Sequence, residues 1–291
     1  MESRPFGNTG LSVSALGFGA GHLARVAPGE VAGLLNGVLD LGVTLVDTAR
    51  GYGPSEELIG RHLTGRRQEF TLVTKVGYGV EGCVDWTREA VVRGIDRALR
   101  LLGTERIDVC LLHSCDLATL QRGEVIEGLQ SAVSAGKVLV PGYSGENAEL
   151  RWAIESGHFG AIETSVNLCD QWSLHHALPA AASAGIGVIA KRPLANVAWT
   201  FAERPAGEYA EDYWLRLREM GLEPENGDWL DTAARFSAHA AGVASAIVGT
   251  SRLEHLRLLA ALVDEGPLAE PSRQRWISGW QAHDSSWPGL V

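Results

Sequence analysis

Short apolar runs bounded by glycine or polar residues recur along the chain, at 15–18, 44–46, 70–74, 107–112, 138–143, 161–166, 187–190 and 245–248. They are continuous rather than alternating, the pattern of strands covered on both faces in a parallel sheet. Between most of them the apolar spacing becomes helical. Val31, Leu34, Leu35, Val38 and Leu39 form one stripe; Val91, Ile95, Ala98, Leu99 and Leu102 form another, with Thr87 as its N-cap. Eight strands alternating with helices predict an α/β fold, a (β/α)₈ barrel rather than an open doubly wound sheet. The glycines of GNTG at 7–10 predict an N-terminal β-hairpin over about residues 4–14. The stretch 193–230 is too long for a simple crossover and predicts a long loop with an additional helix. A tail over about 264–291 completes a single domain, 1–291.

Composition narrows the function. Hydrophobic residues at 45%, charged residues at 21% and 35 glycines describe a globular chain. A net charge of −10 argues against nucleic acid or an anionic membrane as partner, since both call for clustered Lys and Arg. No run of 18 apolar residues appears, and MESRPFGNTG lacks the basic-then-apolar pattern of a signal peptide. The four cysteines have no CxxC spacing, so neither a zinc site nor a disulfide framework is indicated. Reduced thiols and a cytoplasmic location are the expectation.

The strand ends carry the candidate chemistry. Asp47 closes the second run, Lys75 the third, His113 the fourth, Ser144 the fifth, Asn167 the sixth, and Lys191-Arg192 the seventh. In a barrel of this kind those carboxyl ends form the active-site face. Tyr52 follows Asp47 by five positions, between two glycines. A free phenol, with a pKa of about 10, is a poor proton donor at neutral pH. An ammonium beside it lowers that value, and Asp47 would hold Lys75 charged. Tyr52 then becomes a general acid toward a carbonyl oxygen, with His113 donating a second hydrogen bond. This set supplies a proton but no electron pair, so the reductant must come from a cofactor, most simply a reduced nicotinamide. Singly, each residue has an ordinary structural reading as cap, loop aromatic, solvated charge or satisfied core histidine. Their placement on three successive strand ends favours the catalytic one.

VDTARGYGPSEELIG, TLVTKVGYG and IDVCLLHSCD resemble three signature segments of the aldo-keto reductase family. GKVLVPGYSGENAELRWAI, AIETSVNLCDQ and AIVGTSRLEHLRLLAAL follow its order and spacing, so the resemblance runs from about Arg4 to Leu262. It implies a TIM barrel, NADPH as reductant, and reversible reduction of an aldehyde or ketone. By motif, Tyr52 resembles the proton donor, Lys75 and Asp47 its tuning pair, and His113 the carbonyl-orienting residue. Ser144 stands where the family holds the nicotinamide carboxamide, but Gly145 replaces the usual asparagine beside it. Glu163 takes the place of a glutamine, Lys191 that of an aromatic stacked on the nicotinamide, and Leu258-Leu259 that of an adenine-gripping Glu-Asn.

GTSR at 249–252 opens a helix at about Leu253. Gly249, Thr250 and Ser251 would form an anion site at its amino end. Arg252 and His255 would meet a ribose 2′-phosphate and Arg192 the pyrophosphate, favouring NADPH/NADP+ over NADH. GFGAG at 17–21 is not a dinucleotide fingerprint, because its spacing is GxGxG. His175-His176 has no third ligand at metal spacing, so no metal is expected. The substrate, a small-molecule carbonyl compound, would meet loops carrying His22, Tyr78, Trp86 and Trp199, together with Trp287. The tail, with Trp276, Trp280 and Trp287, either folds over the mouth or covers the outer helices. Two other functions fit the barrel. One is a catalytically weak NADP(H)-binding interaction or regulatory protein. The other is a lyase or metal hydrolase built on His113, Asp116 and Lys75, which leaves the Tyr52–Lys75 pairing without a purpose.

Overall fold

Burial with period two decides which way each strand residue points, and here it builds two cores from the same strands. The structure, a computed structural model, describes residues 1–284 and 286–291. β1 (Ser3–Pro5) and β2 (Ser12–Ser14) pair antiparallel as the expected hairpin. The parallel strands are β3 (Leu16–Gly19), β4 (Leu45–Asp47), β5 (Thr71–Val76), β6 (Ile107–His113), β7 (Val138–Ser144), β8 (Ala161–Ser165), β9 (Gly187–Lys191) and β10 (Ser245–Gly249). They close into a barrel in chain order, β10 returning to β3.

Leu45, Val73, Val109, Leu111, Val140, Ala161, Ile189 and Ile247 form a buried interior, joined by Phe6 and Val13 of the hairpin segment. The alternate residues Val46, Leu72, Cys110, Leu112, Ile162, Val188, Ala246 and Val248 face outward into the core shared with the helices. The helix Arg88–Leu102 shows how the outer layer is specified. Thr87 Oγ1 caps it by accepting from the Ala90 amide, and Val91, Ile95, Ala98 and Leu102 are buried at helical spacing. Gly103, in the left-handed region at φ 61°, ends it.

Most strands extend past the apolar run that announces them. Asp47, Lys75, His113, Ser144 and Lys191 all lie within strands, paired in register as Gly19↔Asp47, Lys75↔Leu111, His113↔Ser144 and Ser165↔Lys191. Backbone pairing tolerates a polar side chain there because that side chain points to the barrel mouth rather than into apolar packing. The sixth barrel strand is the exception. It stops at Ser165, and Asn167 instead bridges Asp170 in the following loop.

The 193–230 stretch contains a 3₁₀ turn, Ala195–Thr200, and the helix Glu211–Met220. Tyr213 and Leu217 of that helix pack with Trp276 in a satellite core. Trp276 and Trp280, on the helix Glu270–Gln281, are fully buried. The tail therefore divides its work: its helix covers one flank, while its last residues return to the mouth. There Asn147 clasps Gly289 by two hydrogen bonds, and Arg192 donates to the Leu290 carbonyl at 2.6 Å. Among the described residues, no helix is long and apolar enough to cross a membrane.

Candidate active site

The parity that fills the barrel also builds the site. Asp47 is two residues beyond Leu45, Lys75 two beyond Val73, His113 two beyond Leu111, Glu163 two beyond Ala161, and Lys191 two beyond Ile189. Each therefore shares the inward face of its strand and sits one layer above the apolar core, at the carboxyl end. Glycine takes the inward positions of β3: a Cβ at Gly17 would lie 2.9 Å from Ile247, Leu45 and Ser245 side chains. Gly17 thus serves barrel packing, while Gly19 and Gly21 line the mouth.

A cavity of about 650 Å³ opens at this face, lined among others by Asp47, Tyr52, His113, Ser144, Glu163 and Lys191. Lys75 is fully buried beneath it. Its Nζ donates to Asp47 Oδ1 at 2.5 Å, to the Thr48 carbonyl at 3.2 Å and to the Tyr52 hydroxyl at 3.4 Å. Tyr52 sits in a turn in which its amide donates to the Ala49 carbonyl at 3.0 Å, and a Cβ at Gly51 would come 2.5 Å from the Tyr78 hydroxyl. That hydroxyl lies 3.2 Å from His113 Nδ1, and the Tyr52 and His113 rings meet edge to face, centroids 6.0 Å apart.

A second carboxylate also reaches the ammonium. Glu163 Oε2 is 3.3 Å from Lys75 Nζ and has no hydrogen-bond partner among the described residues. The Ser144 hydroxyl donates to Glu163 Oε1 at 3.5 Å. The electrostatics follow from two carboxylates around one ammonium. Burial pulls Lys75 down, but Asp47 and Glu163 outweigh it, and the net direction is up, so Lys75 stays charged. Burial and then Glu163 push Asp47 above the usual carboxylate range. The Lys75 ammonium draws the Tyr52 phenol down, as expected from sequence. Burial, Asp47 and Glu163 together push harder, and Tyr52 ends at about 12. This corrects the expectation of an acidified phenol, which counted one carboxylate and no desolvation. His113 is lowered to about 3 by burial, then by Lys75 and Lys191, and is a neutral imidazole.

Ser144, Glu163, Lys191, Arg192 and Gly249 all line the cavity. Lys191 is held 3.3 Å from Glu146 Oε1. Thr250, Ser251, Arg252 and His255 lie outside the cavity lining, around the amino end of the helix Leu253–Asp264. Thr250 Oγ1 accepts from the Arg252 amide at 3.1 Å and lies 3.5 Å from His255 Nδ1, while the Arg252 side chain is exposed. Of the expected substrate residues, His22 lines the cavity. Tyr78 and Trp86 stand behind His113 as a tilted pair, centroids 5.5 Å apart. Trp199 stacks on Trp229, and Trp287 on His283, neither lining the cavity, because each finds an aromatic partner in the outer layers. Leu259 is buried in the core and Leu258 half exposed.

Glu146 is the residue that sequence reasoning missed. Fully buried, it accepts from Thr164, Ser173 and the Ser165 amide as well as pairing with Lys191. The signal was present in SGEN: a carboxylate directly follows the strand-end Ser-Gly. Gly145 itself has a steric cause, since a Cβ there would lie 2.5 Å from the Tyr143 hydroxyl. Among the described residues, seven non-glycine residues have positive φ: Trp86, Ser114, Asn147, Arg192, Ala195, Asn196 and Val197. All follow carboxyl strand ends, so backbone strain gathers on the mouth side. His175 meets Gln171 and His176 meets Asp284, and among the described residues no group of three or more His, Cys, Asp or Glu could hold a metal.

A model of the Aldo/keto reductase family matches residues 15–276. L-galactose dehydrogenase of Arabidopsis thaliana is 30% identical over 211 residues, covering 67% of this chain and 66% of that protein. L-glyceraldehyde 3-phosphate reductase of Escherichia coli (strain K12) is 32% identical over 222 residues, covering 67% and 62%. The chain thus spans just under two thirds of the length of these curated relatives. Among solved structures, the holo form of aldo-keto reductase AKR11C1 from Bacillus halodurans superposes with a TM-score of 0.83 at 26% identity, over 96% of both chains.

Proposed function

The chain belongs to the Aldo/keto reductase family, an oxidoreductase family, and from that premise we propose that it reduces an aldehyde or ketone to an alcohol with NADPH. One observation carries the reading: the Tyr52 hydroxyl lies 3.4 Å from a buried ammonium that Asp47 neutralises, in a cavity that it shares with a neutral histidine. Tyr52 holds its proton throughout the neutral range, and the Lys75 ammonium is what lowers the cost of giving it up. As charge develops on the carbonyl oxygen, Tyr52 passes that proton to it. The phenolate left behind faces the Lys75 ammonium and regains its proton from solvent. His113 assists as a donor: its Nδ1 lies 3.2 Å from the Tyr78 hydroxyl, and in the tautomer in which that hydroxyl donates, Nε2 carries the N–H that the carbonyl oxygen meets.

The cavity fits a nicotinamide. Among the described residues Glu163 Oε2 is a buried acceptor without a hydrogen-bond partner, suited to a carboxamide NH₂, and the Ser144 hydroxyl, whose long 3.5 Å bond to Glu163 Oε1 is readily given up, suits the carboxamide oxygen. Arg192, which lines the cavity, supplies a cation for the pyrophosphate, and Gly249 through Arg252 with His255 the helix-end anion site. When bound, the reduced nicotinamide supplies the hydride. The relatives' names, which mention L-galactose and L-glyceraldehyde 3-phosphate, point to hydroxy aldehydes, free or phosphorylated, as the first substrates to try.

The test is a titration of the purified protein with NADPH and NADH, then a screen of sugar-type and simple carbonyl compounds for NADPH oxidation. Tyr52→Phe is expected to lose at least about a hundredfold in turnover with NADPH affinity within about threefold of the parent. Near-normal turnover in that variant would falsify the proton-donor assignment.

A further inference from the structure

Glu163 has a consequence beyond cofactor binding. Its strand, β8, stands across the ring from β4, which carries Asp47, yet both carboxylates reach Lys75, at 3.3 and 2.5 Å. All three side chains are buried, with relative exposures of 2%, 1% and 0%. A surface carboxylate at that distance would be screened; one held out of water is not. The other charges that face Tyr52 are accounted for. On β6, His113 is neutral and backed by Tyr78. On β9, the charge of Lys191 is met by Glu146. Arg192 donates to the Leu290 carbonyl, and His22, Arg25 and Glu208 lie exposed at the rim. The phenol therefore titrates beside one ammonium and two carboxylates.

We propose that Glu163 is a positioning residue for proton transfer: as a second buried carboxylate beside the ammonium, acting on the phenol both directly and through Lys75, it sets the pH at which Tyr52 changes from proton donor to proton acceptor. This rests on the assignment of Tyr52 above. With a neutral amide at 163, as in Glu163→Gln, Lys75 has one counter-ion and favours the phenolate more strongly. The break in the pH profile of carbonyl reduction and the matching break for alcohol oxidation then move together to lower pH, since both report the same hydroxyl.

The experiment compares wild type, Glu163→Gln and Glu163→Asp in two ways. The first is kcat/KM against pH in both directions. The second, independent of turnover, is near-ultraviolet titration of the phenolate, each protein referenced to its Tyr52→Phe counterpart. The expected result is a shift of about one to two pH units downward in Glu163→Gln by both readouts, with Glu163→Asp restoring the wild-type position. Equal midpoints in wild type and a folded Glu163→Gln would overturn the proposal, as would a shift in Glu163→Asp as large as that in Glu163→Gln. If Glu163→Gln does not fold, Glu163→Ala carries the same expectation. If wild type turns over no carbonyl compound, the functional assignment fails, while the phenolate titration still decides the role of Glu163.

Discussion

Replacing Lys75 by methionine tests the electrostatic core of the mechanism, because it removes the ammonium and keeps most of the side-chain volume. At the 3.4 Å separation of Nζ and the Tyr52 hydroxyl, an effective dielectric constant of about 20 gives an attraction of roughly 5 kcal/mol between ammonium and phenolate. At about 1.4 kcal/mol per pH unit, that is three to four units of phenol acidity. Relief of the two carboxylates offsets part of it: with Lys75 gone, Asp47, already raised by burial and Glu163, takes up a proton. A net rise of about two to three units remains on Tyr52. Alcohol oxidation at pH 9, which needs the phenolate, should then fall by about 10²–10³-fold. Carbonyl reduction, with about half of that charge developed in the transition state, should fall by about 10–30-fold. Steady-state kinetics in both directions, with circular dichroism to certify folding, make the measurement. A folded Lys75→Met protein with both rates within threefold of wild type would refute the reasoning.

Two further expectations concern the helix end and acid stability. Arg252→Ala should weaken NADPH by about tenfold, the loss of one charge-assisted contact to a phosphate, and leave NADH unchanged; equal losses for both cofactors in a fluorescence titration would remove Arg252 from the 2′-phosphate site. His113 is held at about 3 in the folded chain, against 6.5 as its ordinary value. The unfolded chain therefore binds more protons between those values, and stability is lost as pH falls through that window. By pH 5 the loss amounts to about 1–2 kcal/mol. Asp170 acts oppositely, since burial raises it to about 7 and its contribution grows as pH falls. The diagnostic is therefore the difference between wild type and His113→Gln in urea unfolding at pH 7 and pH 5. No pH dependence in that difference would mean that His113 is not buried neutral.

The order of strands and helices, the hairpin, and the group Asp47, Tyr52, Lys75 and His113 were legible in the chain itself. Apolar runs, turn glycines and strand-end polar residues are local signals, and a barrel that closes in chain order turns local order directly into spatial neighbourhood. The boundaries were less legible, because an inward polar side chain at a strand end leaves backbone pairing intact and so ends the apolar run before it ends the strand. Three things were decided only by the folded structure. Glu163 shares Lys75 with Asp47 although 116 positions separate the two carboxylates (163 − 47). Glu146 gathers Thr164, Ser165, Ser173 and Lys191 from three later segments. Trp199 and Trp287 turn to aromatic partners rather than to the mouth. Residue type and spacing report what a position offers to its own strand or helix. How strongly a buried charge is felt depends on desolvation and on carboxylates brought across the ring, and those quantities exist only once the barrel has closed.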